Sequence, residues 1–136
     1  MALKVTMNHE MGFIETTYSD EITIQDVTEA TMKCLEFVHD EGPLKFLTDI
    51  ANADLNLSVI EIFKQPDSWE ALGFKRINSL AIVQGVKQKR KDDLSFLEDV
   101  SVNRGWNVKM FTERKDAIEW LAQQGASGSL LNATSA

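Results

Sequence analysis

At 136 residues, with 43% hydrophobic and 26% charged side chains, the chain has the size and composition of one globular domain that needs neither disulfides nor metal for its core. Its formal net charge of −7 argues against a general nucleic-acid binder, because such proteins usually have a basic surface that releases counterions from the phosphate backbone. The single cysteine excludes an internal disulfide, and no apolar run approaches the roughly 20 residues of a membrane span. The N-terminus has no apolar leader, so we expect a cytoplasmic protein.

The N-terminal part predicts a β-hairpin followed by a helix. Residues 3–8 alternate apolar and polar side chains, which indicates a half-buried strand, and a turn-rich stretch separates them from a second strand over 12–18. Thr23 is placed to cap the following helix, with Asp26 as its capping-box partner. A Gly-Pro pair at 42–43 is expected to end that helix.

The next unit is a short apolar strand over 44–50, a polar connection over 51–56 and a helix that Pro66 interrupts. The apolar side of this helix is expected to contain Leu57, Ile60 and Phe63.

The C-terminal part predicts two further strand-and-helix pairs. The apolar run within 79–86 is typical of a strand covered on both faces, which we place at the sheet centre. A helix opened by two aspartates at 92–93 leads to an edge strand over 106–111. A final helix over 113–124 would be capped by Thr112.

The predicted fold class is therefore α/β, with element order ββαβαβαβα. An N-terminal hairpin and parallel pairing of the last three strands give a mixed five-stranded sheet flanked by about four helices. We expect one domain over residues 1–124, followed by a flexible tail over 125–136.

Three segments resemble one known family. Residues 108–121 (VKMFTERKDAIEWL) are similar to the closing strand-and-helix signature of STAS-like, or SpoIIAA-like, proteins. Residues 44–49 (LKFLTD) resemble the family's apolar strand ending in aspartate, and 76–83 (RINSLAIV) resemble its basic lead-in to a buried strand. The resemblance extends over residues 1–124 and implies a SpoIIAA-like fold.

Members of this family include anti-sigma-factor antagonists, which are non-enzymatic protein-binding switches, and more distant lipid carriers. The resemblance thus implies a regulatory module. In the switch proteins a phosphorylatable serine lies in an Asp-Ser-Ser-Gly-like motif at the start of the helix after the third strand. Here residues 49–58 read DIANADLNLS, so the motif is absent and Ser58 is only nearby.

The first candidate site follows the strand that ends near residue 49. Its polar side chains are Asp49, Asn52, Asp54 and Ser58. In open α/β sheets ligands bind beyond the carboxyl ends of parallel strands, and a phosphate on Ser58 would lie favourably near a helix N-terminus. The alternative is structural: Asp54 or Asn56 caps the helix and Ser58 is an ordinary first-turn residue.

The second candidate site is the basic segment 87–91, which provides Lys87, Lys89, Arg90 and Lys91. Four cations before a helix N-terminus suggest a site for a phosphate, a carboxylate or an acidic partner. The alternative is a solvated loop whose charge is offset by nearby aspartates and glutamates.

A third candidate is an apolar pocket near the helix break, formed by Phe63, Trp69, Leu72 and Phe74. This segment has more large apolar groups than one inner helical face needs. The surplus would serve a homodimer interface or a lipid-like ligand.

An enzymatic function is not expected. His9 and His39 have no further ligand at metal-binding spacing, and Cys34 lies in a core stripe, where we interpret it as a small buried hydrophobe and not as a nucleophile. Glycines do not form a phosphate-binding loop, so no cofactor is predicted.

The leading hypothesis is a non-enzymatic STAS-like regulatory or protein-interaction module. The alternative is a small carrier of a lipid-like or otherwise apolar ligand whose anionic head meets the basic segment. Both require that the parallel strands direct residues 49–58 and 87–91 to one rim of the sheet.

Overall fold

The computed structural model describes residues 3–38 and 44–124, which form one mixed α/β unit. In chain order its elements are β1 (Leu3–Asn8), β2 (Phe13–Ile22), α1 (Ile24–Leu35), β3 (Lys45–Leu55), α2 (Val59–Phe63), α3 (Gln65–Ala71), β4 (Ser79–Val83), α4 (Lys91–Asn103), β5 (Asn107–Phe111) and α5 (Arg114–Gln123). The predicted order is confirmed, with the helix after β3 divided into α2 and α3. The first helix ends at Leu35, earlier than the predicted stop at 42–43, so that prediction was wrong. Residues 42–43 themselves and the predicted tail at 125–136 lie outside the described residues.

The strands form one sheet in the order β1-β2-β3-β4-β5. β1 pairs with β2 antiparallel, and the pairs β2–β3, β3–β4 and β4–β5 are parallel, which confirms the mixed five-stranded sheet. The parallel part begins one strand earlier than predicted, because α1 connects β2 to β3 in the same direction. β3, not β4, is the middle strand, although β4 is an inner strand with both faces buried.

β2 and β3 are longer than their sequences suggested. The prediction of a polar connection over 51–56 was wrong: residues 52–55 pair in register with 19–22, beyond a bulge between Thr17 and Ser19. The extension is possible because its side chains alternate, with Ala53 and Leu55 half-buried and the polar residues between them exposed. The candidate residues Asn52 and Asp54 therefore lie on a strand.

Two helices begin with a complete capping box. In α1 the Thr23 side chain and Asp26 exchange hydrogen bonds with each other's backbone N–H groups, as predicted. In α2 the N-cap is Ser58: its hydroxyl accepts from the N–H of Glu61 at 3.0 Å, and the Glu61 carboxylate accepts from the N–H of Ser58 at 2.8 Å. The expectation that residue 54 or 56 caps this helix was wrong.

The inner face of α2 also differs from the prediction. Ile62 is the buried residue, whereas Ile60 is 64% exposed and Leu57 precedes the helix. Pro66 is the second residue of α3. Backbone N–H groups in the first turn have no acceptor within their own helix, so the lack of an N–H in proline removes no hydrogen bond of α3. The break at Pro66 thus begins a new helix.

Helices cover both faces of the sheet. On one face α5 packs Ala117 against Leu47 of the central strand. On the other face α1–α4 form a layer, in which Leu94 of α4 joins the cluster that contains Ile50. Because adjacent strand residues point to opposite faces, Leu47 and Ile50 contribute to different cores. The N-cap of α5 is Glu113, one residue later than predicted.

Candidate functional site

An interior cavity of about 160 Å³ lies between the sheet and the α1–α4 layer and is partly open to solvent. Its lining comes from strands β2–β5 and from all four helices of that layer. Among the described residues that line it, none is acidic or basic. The cavity is therefore an apolar site whose few polar groups are neutral.

Two threonines form a polar strip on the sheet side of the cavity. Thr16 of β2 and Thr48 of β3 are register partners, and Thr48 is in turn opposite Ile82 of β4. The Thr16 hydroxyl lies 3.4 Å from the Cys34 sulfur. The Thr48 hydroxyl makes no hydrogen bond within the described part of the chain, so it is available to a molecule in the cavity.

Tyr18 adds a third hydroxyl, two residues beyond Thr16 on the same face of β2. It too has no hydrogen-bond partner in residues 3–38 and 44–124. Burial raises the pKa of the Tyr18 hydroxyl, with smaller contributions from Cys34 and Asp26. The phenol is therefore neutral and able to donate a hydrogen bond at any physiological pH.

Cys34 is buried, as predicted. Burial raises the pKa of its thiol, and the contact with Thr16 only partly opposes this. The thiolate is the nucleophilic form, so a thiol in this environment is a poor nucleophile.

Aromatic side chains form much of the cavity wall: Trp69 from α3, Phe46 from β3, and Phe74 and Trp106 from the loops before β4 and β5. Trp69 and Trp106 meet edge to face with ring centroids 5.5 Å apart, and Phe74 meets Phe46 in the same way at 5.4 Å. All four line the cavity. Edge-to-face pairs of this kind hold rings in fixed orientations, so the wall has a defined shape.

The predicted apolar pocket thus coincides with the cavity in part. Trp69 and Phe74 line it. Phe63 and Leu72 do not belong to its lining; Phe63 instead packs against Phe96 of α4, with ring centroids 4.8 Å apart.

Trp106 is held from outside the cavity by an arginine. The Arg76 guanidinium lies 4.6 Å from the ring centroid, donates to the carbonyl of Arg104 at 2.8 Å and pairs with Glu70 at 2.8 Å. The Trp106 Nε1 is buried and has no hydrogen-bond partner within the described residues. The cation–π contact therefore supplies the main polar interaction of this indole.

The second feature is the carboxyl rim, the edge of the sheet where the parallel strands end. Arg90 of the basic segment donates through Nη1 to the carbonyls of Leu55 at 3.2 Å and Leu57 at 2.7 Å. Its Nε pairs with Asp93 at 2.8 Å. The rim therefore joins the end of β3 and the residues just after it to the basic segment, as the two functional hypotheses require.

The cations of the basic segment differ in their surroundings. Arg90 is half-buried and bound to protein groups on three sides. Lys87, Lys89 and Lys91 are exposed and form no ion pair with any other described residue. The three lysines are thus free to meet an anion, whereas Arg90 stabilises the rim.

Asp49 lies on the opposite face of the sheet from the cavity. Its carboxylate accepts from the N–H of Ala51 at 3.0 Å and lies 3.5 Å from Nη1 of Arg114. Arg114 also binds both carboxylate oxygens of Glu15, at 2.6 and 2.7 Å. Arg114, the first residue of α5, thus ties that helix to β2 and β3.

The bidentate contact also sets the charge state of Glu15. Hydrogen bonds from Arg114 hold the pKa of Glu15 below its usual value of 4.5, and desolvation opposes this only in part. Glu15 is therefore engaged with a cation as a carboxylate and is a poor candidate for proton transfer.

The remaining predicted site residues are dispersed. Asn52 and Asp54 are exposed on the extension of β3, and Ser58 is the N-cap of α2. None of the residues in the first candidate site lines the cavity. The structure therefore contains two separate features, the cavity on the helical-layer face and the carboxyl rim.

Sequence reasoning missed the polar groups of the cavity. Thr16, Tyr18 and Thr48 occupy inward positions in the period-two pattern of their strands. Their inward positions could have indicated a polar group facing a binding site, because a buried hydroxyl normally needs a hydrogen-bond partner.

Within residues 3–38 and 44–124, no group of three or more histidine, cysteine or carboxylate side chains is placed to hold a metal ion. None of the helices in these ranges is long and apolar enough to cross a membrane.

No protein-family model and no curated protein matches the chain. Among solved structures, it is similar to the crystal structure of an uncharacterised protein of the DUF3478 family from Shewanella loihica with a SpoIIAA-like fold. The TM-score is 0.58, with 18% sequence identity over 88% of this chain and 92% of that chain. At this identity the likeness concerns the fold alone. The chain therefore has a SpoIIAA-like fold, as the resemblance of its closing strand and helix implied.

Proposed function

We propose that this SpoIIAA-like domain is a non-enzymatic binding module that takes up a small, mainly apolar molecule in its interior cavity. The observation that supports the proposal is the cavity of about 160 Å³ with two hydroxyls, those of Tyr18 and Thr48, that have no hydrogen-bond partner among the described residues. Protein interiors are close-packed, and voids of this size are few.

The volume of the cavity distinguishes the proposed module from a lipid carrier. Apolar cavities of roughly 150 Å³ accept benzene-sized molecules, whereas sites for drug-sized ligands occupy about 300–1,000 Å³. The cavity matches the smaller class, so a long acyl chain is not its expected occupant. Because none of residues 87–91 lines the cavity, the basic segment is also not expected to meet the head group of an enclosed ligand.

The non-enzymatic part of the proposal follows from the reactive groups available. Cys34 is buried with a raised pKa, and Asp49 and Glu15 are bound to Arg114. A buried, unpaired cysteine also fits the reducing cytoplasm in which we propose that the protein acts.

Toluene titrated against the protein, followed by thermal unfolding, tests the proposal. Bound toluene stabilises only the folded state, so Tm should rise with toluene concentration. Ala30→Leu, which places a larger side chain in the cavity wall, should remove that rise. Ala122→Leu on the exposed side of α5 is the matched control and should respond like the wild type. A wild-type Tm that does not respond to toluene contradicts the proposal.

A second candidate function is recognition of an acidic protein partner at the carboxyl rim. Exposed Lys87, Lys89 and Lys91 favour it. They form no ion pair within residues 3–38 and 44–124, and on a chain of net charge −7 they make a local basic surface. Val86, beside them, is 64% exposed and would add apolar contact.

A photo-crosslinking side chain at position 89 would identify this partner, and its affinity can then be measured with purified proteins. Reversal of all three lysines to glutamate should weaken binding at least tenfold, and added salt should weaken wild-type binding. Lys115→Glu, an exposed reversal on α5, is the control. Unchanged affinity in the triple variant would exclude the rim, and sedimentation of the pure protein would reveal whether the partner is a second copy.

A further inference from the structure

We infer that the ligand of the cavity is an uncharged ring compound with one hydrogen-bond-accepting oxygen, of the size and polarity of a simple phenol. This inference rests on the proposed function and specifies its ligand class.

The lining excludes charged ligands. No acidic or basic side chain is among the described residues that surround the cavity. An ion transferred from water into such a site loses its hydration and gains no opposite charge, which strongly disfavours carboxylates, phosphates and ammonium groups.

The two hydroxyls select for oxygen. Thr16 already has the Cys34 sulfur as a partner, but Thr48 and Tyr18 have none among the described residues. They lie on the same face of adjacent strands and both line the cavity, so a ligand oxygen in the cavity can find a hydroxyl donor there. The raised pKa keeps the Tyr18 phenol protonated and therefore a donor. A purely apolar occupant would leave both hydroxyls unsatisfied.

The aromatic part of the cavity wall favours a ring. Trp69, Trp106, Phe46 and Phe74 line the cavity, in the two edge-to-face pairs described above. Aromatic ligands continue such offset and edge-to-face packing with little loss of conformational freedom. A six-membered ring with one oxygen also fits the available volume of about 160 Å³.

Three matched probes test the inference: toluene, p-cresol and 4-methylbenzoate, each titrated against the full chain by isothermal calorimetry or amide NMR. In the wild type, p-cresol should bind about fivefold or more tightly than toluene, as one or two hydrogen bonds predict. 4-Methylbenzoate should bind more weakly than either. Tyr18→Phe and Thr48→Val keep nearly the same volume and should each reduce the advantage of p-cresol over toluene to about twofold or less.

Thr6→Val is the control. Thr6 is exposed on β1, outside the cavity lining, so the advantage of p-cresol should persist. If p-cresol and toluene bind equally, if 4-methylbenzoate binds best, or if both hydroxyl variants retain the full advantage, the ligand class is wrong while an apolar binding site remains. If no probe binds, the proposed function itself is overturned.

Discussion

Gly85 lies so close to Ala51 that a Cβ at position 85 would be 2.8 Å from the Ala51 carbonyl oxygen. The loop after β4 and the extension of β3 therefore touch backbone to backbone. This contact and the hydrogen bonds from Arg90 to the carbonyls of Leu55 and Leu57 join the same two stretches of chain. The carboxyl rim is thus closely packed where the two predicted site segments meet.

Gly85→Ala should destabilise the protein by about 1–3 kcal/mol, because the new methyl group forces the two backbones apart. Urea denaturation measures the effect. Gly12→Ala is the control: a Cβ there meets nothing within 4 Å, so its effect should reflect only its positive φ of 77°. A Gly85→Ala variant as stable as the wild type would contradict close backbone packing between positions 85 and 51.

Arg90→Lys should lower the free energy of unfolding by about 1.5–3 kcal/mol, because a lysine cannot reproduce the guanidinium contacts with two carbonyls and a carboxylate. Arg104→Lys is the comparison. Arg104 pairs with exposed Asp67, so its replacement should cost less than about 1 kcal/mol. Equal costs for the two substitutions would contradict a structural role of Arg90 in the rim.

Glu15→Gln should lower stability by about 1 kcal/mol at neutral pH, because it removes a bidentate, partly exposed ion pair with Arg114. The folded-state pKa of Glu15 lies below its ordinary value of 4.5. The ion pair therefore stabilises fully above the unfolded pKa and is lost as the pH falls through the folded pKa. The difference between wild type and variant should accordingly shrink below about pH 4.5.

Urea titrations from pH 7 downwards check this pH dependence. Glu119→Gln, on the exposed side of α5, should behave like the wild type at every pH. A constant difference between wild type and Glu15→Gln across the acidic range would rule out an ionised Glu15 as the source of the effect.

Ser58→Ala should cost about 1 kcal/mol by removing the N-cap of α2. Ser58→Asp should be nearly neutral, because aspartate is also a strong N-cap and its charge is favourable at a helix N-terminus. Ser68→Ala, at an exposed position of α3, is the control. If Ser58→Ala left the free energy of unfolding unchanged, the capping hydrogen bonds of Ser58 would not contribute to stability.

Features with a local cause were predictable from the sequence. The alternation of residues 3–8, the capping box at Thr23 and the apolar run of β4 each depend on a few neighbouring side chains. The resemblance of residues 108–121 to one family then predicted the fold that is also seen in the similar solved structure.

Features with a distant cause were not predictable. Residues 52–55 become a strand because 19–22 lie alongside them, and Arg114 finds Glu15 across a separation of 99 residues. The cavity arises from the way that four helices sit on the sheet, which no local pattern specifies. The sequence indicated that residues 87–91 form a basic segment. It did not indicate that Arg90 would be half-buried and bound to protein groups while the three lysines are exposed.

The positions of the three tryptophans provide a built-in optical probe. Trp69 and Trp106 line the cavity, whereas Trp120 packs beside Phe111 on the far face of the sheet. Filling the cavity would alter the emission of two indoles and leave the third as a constant background. Occupancy could therefore be followed in the unlabelled protein, and Trp120→Phe would sharpen the signal without touching the wall of the cavity.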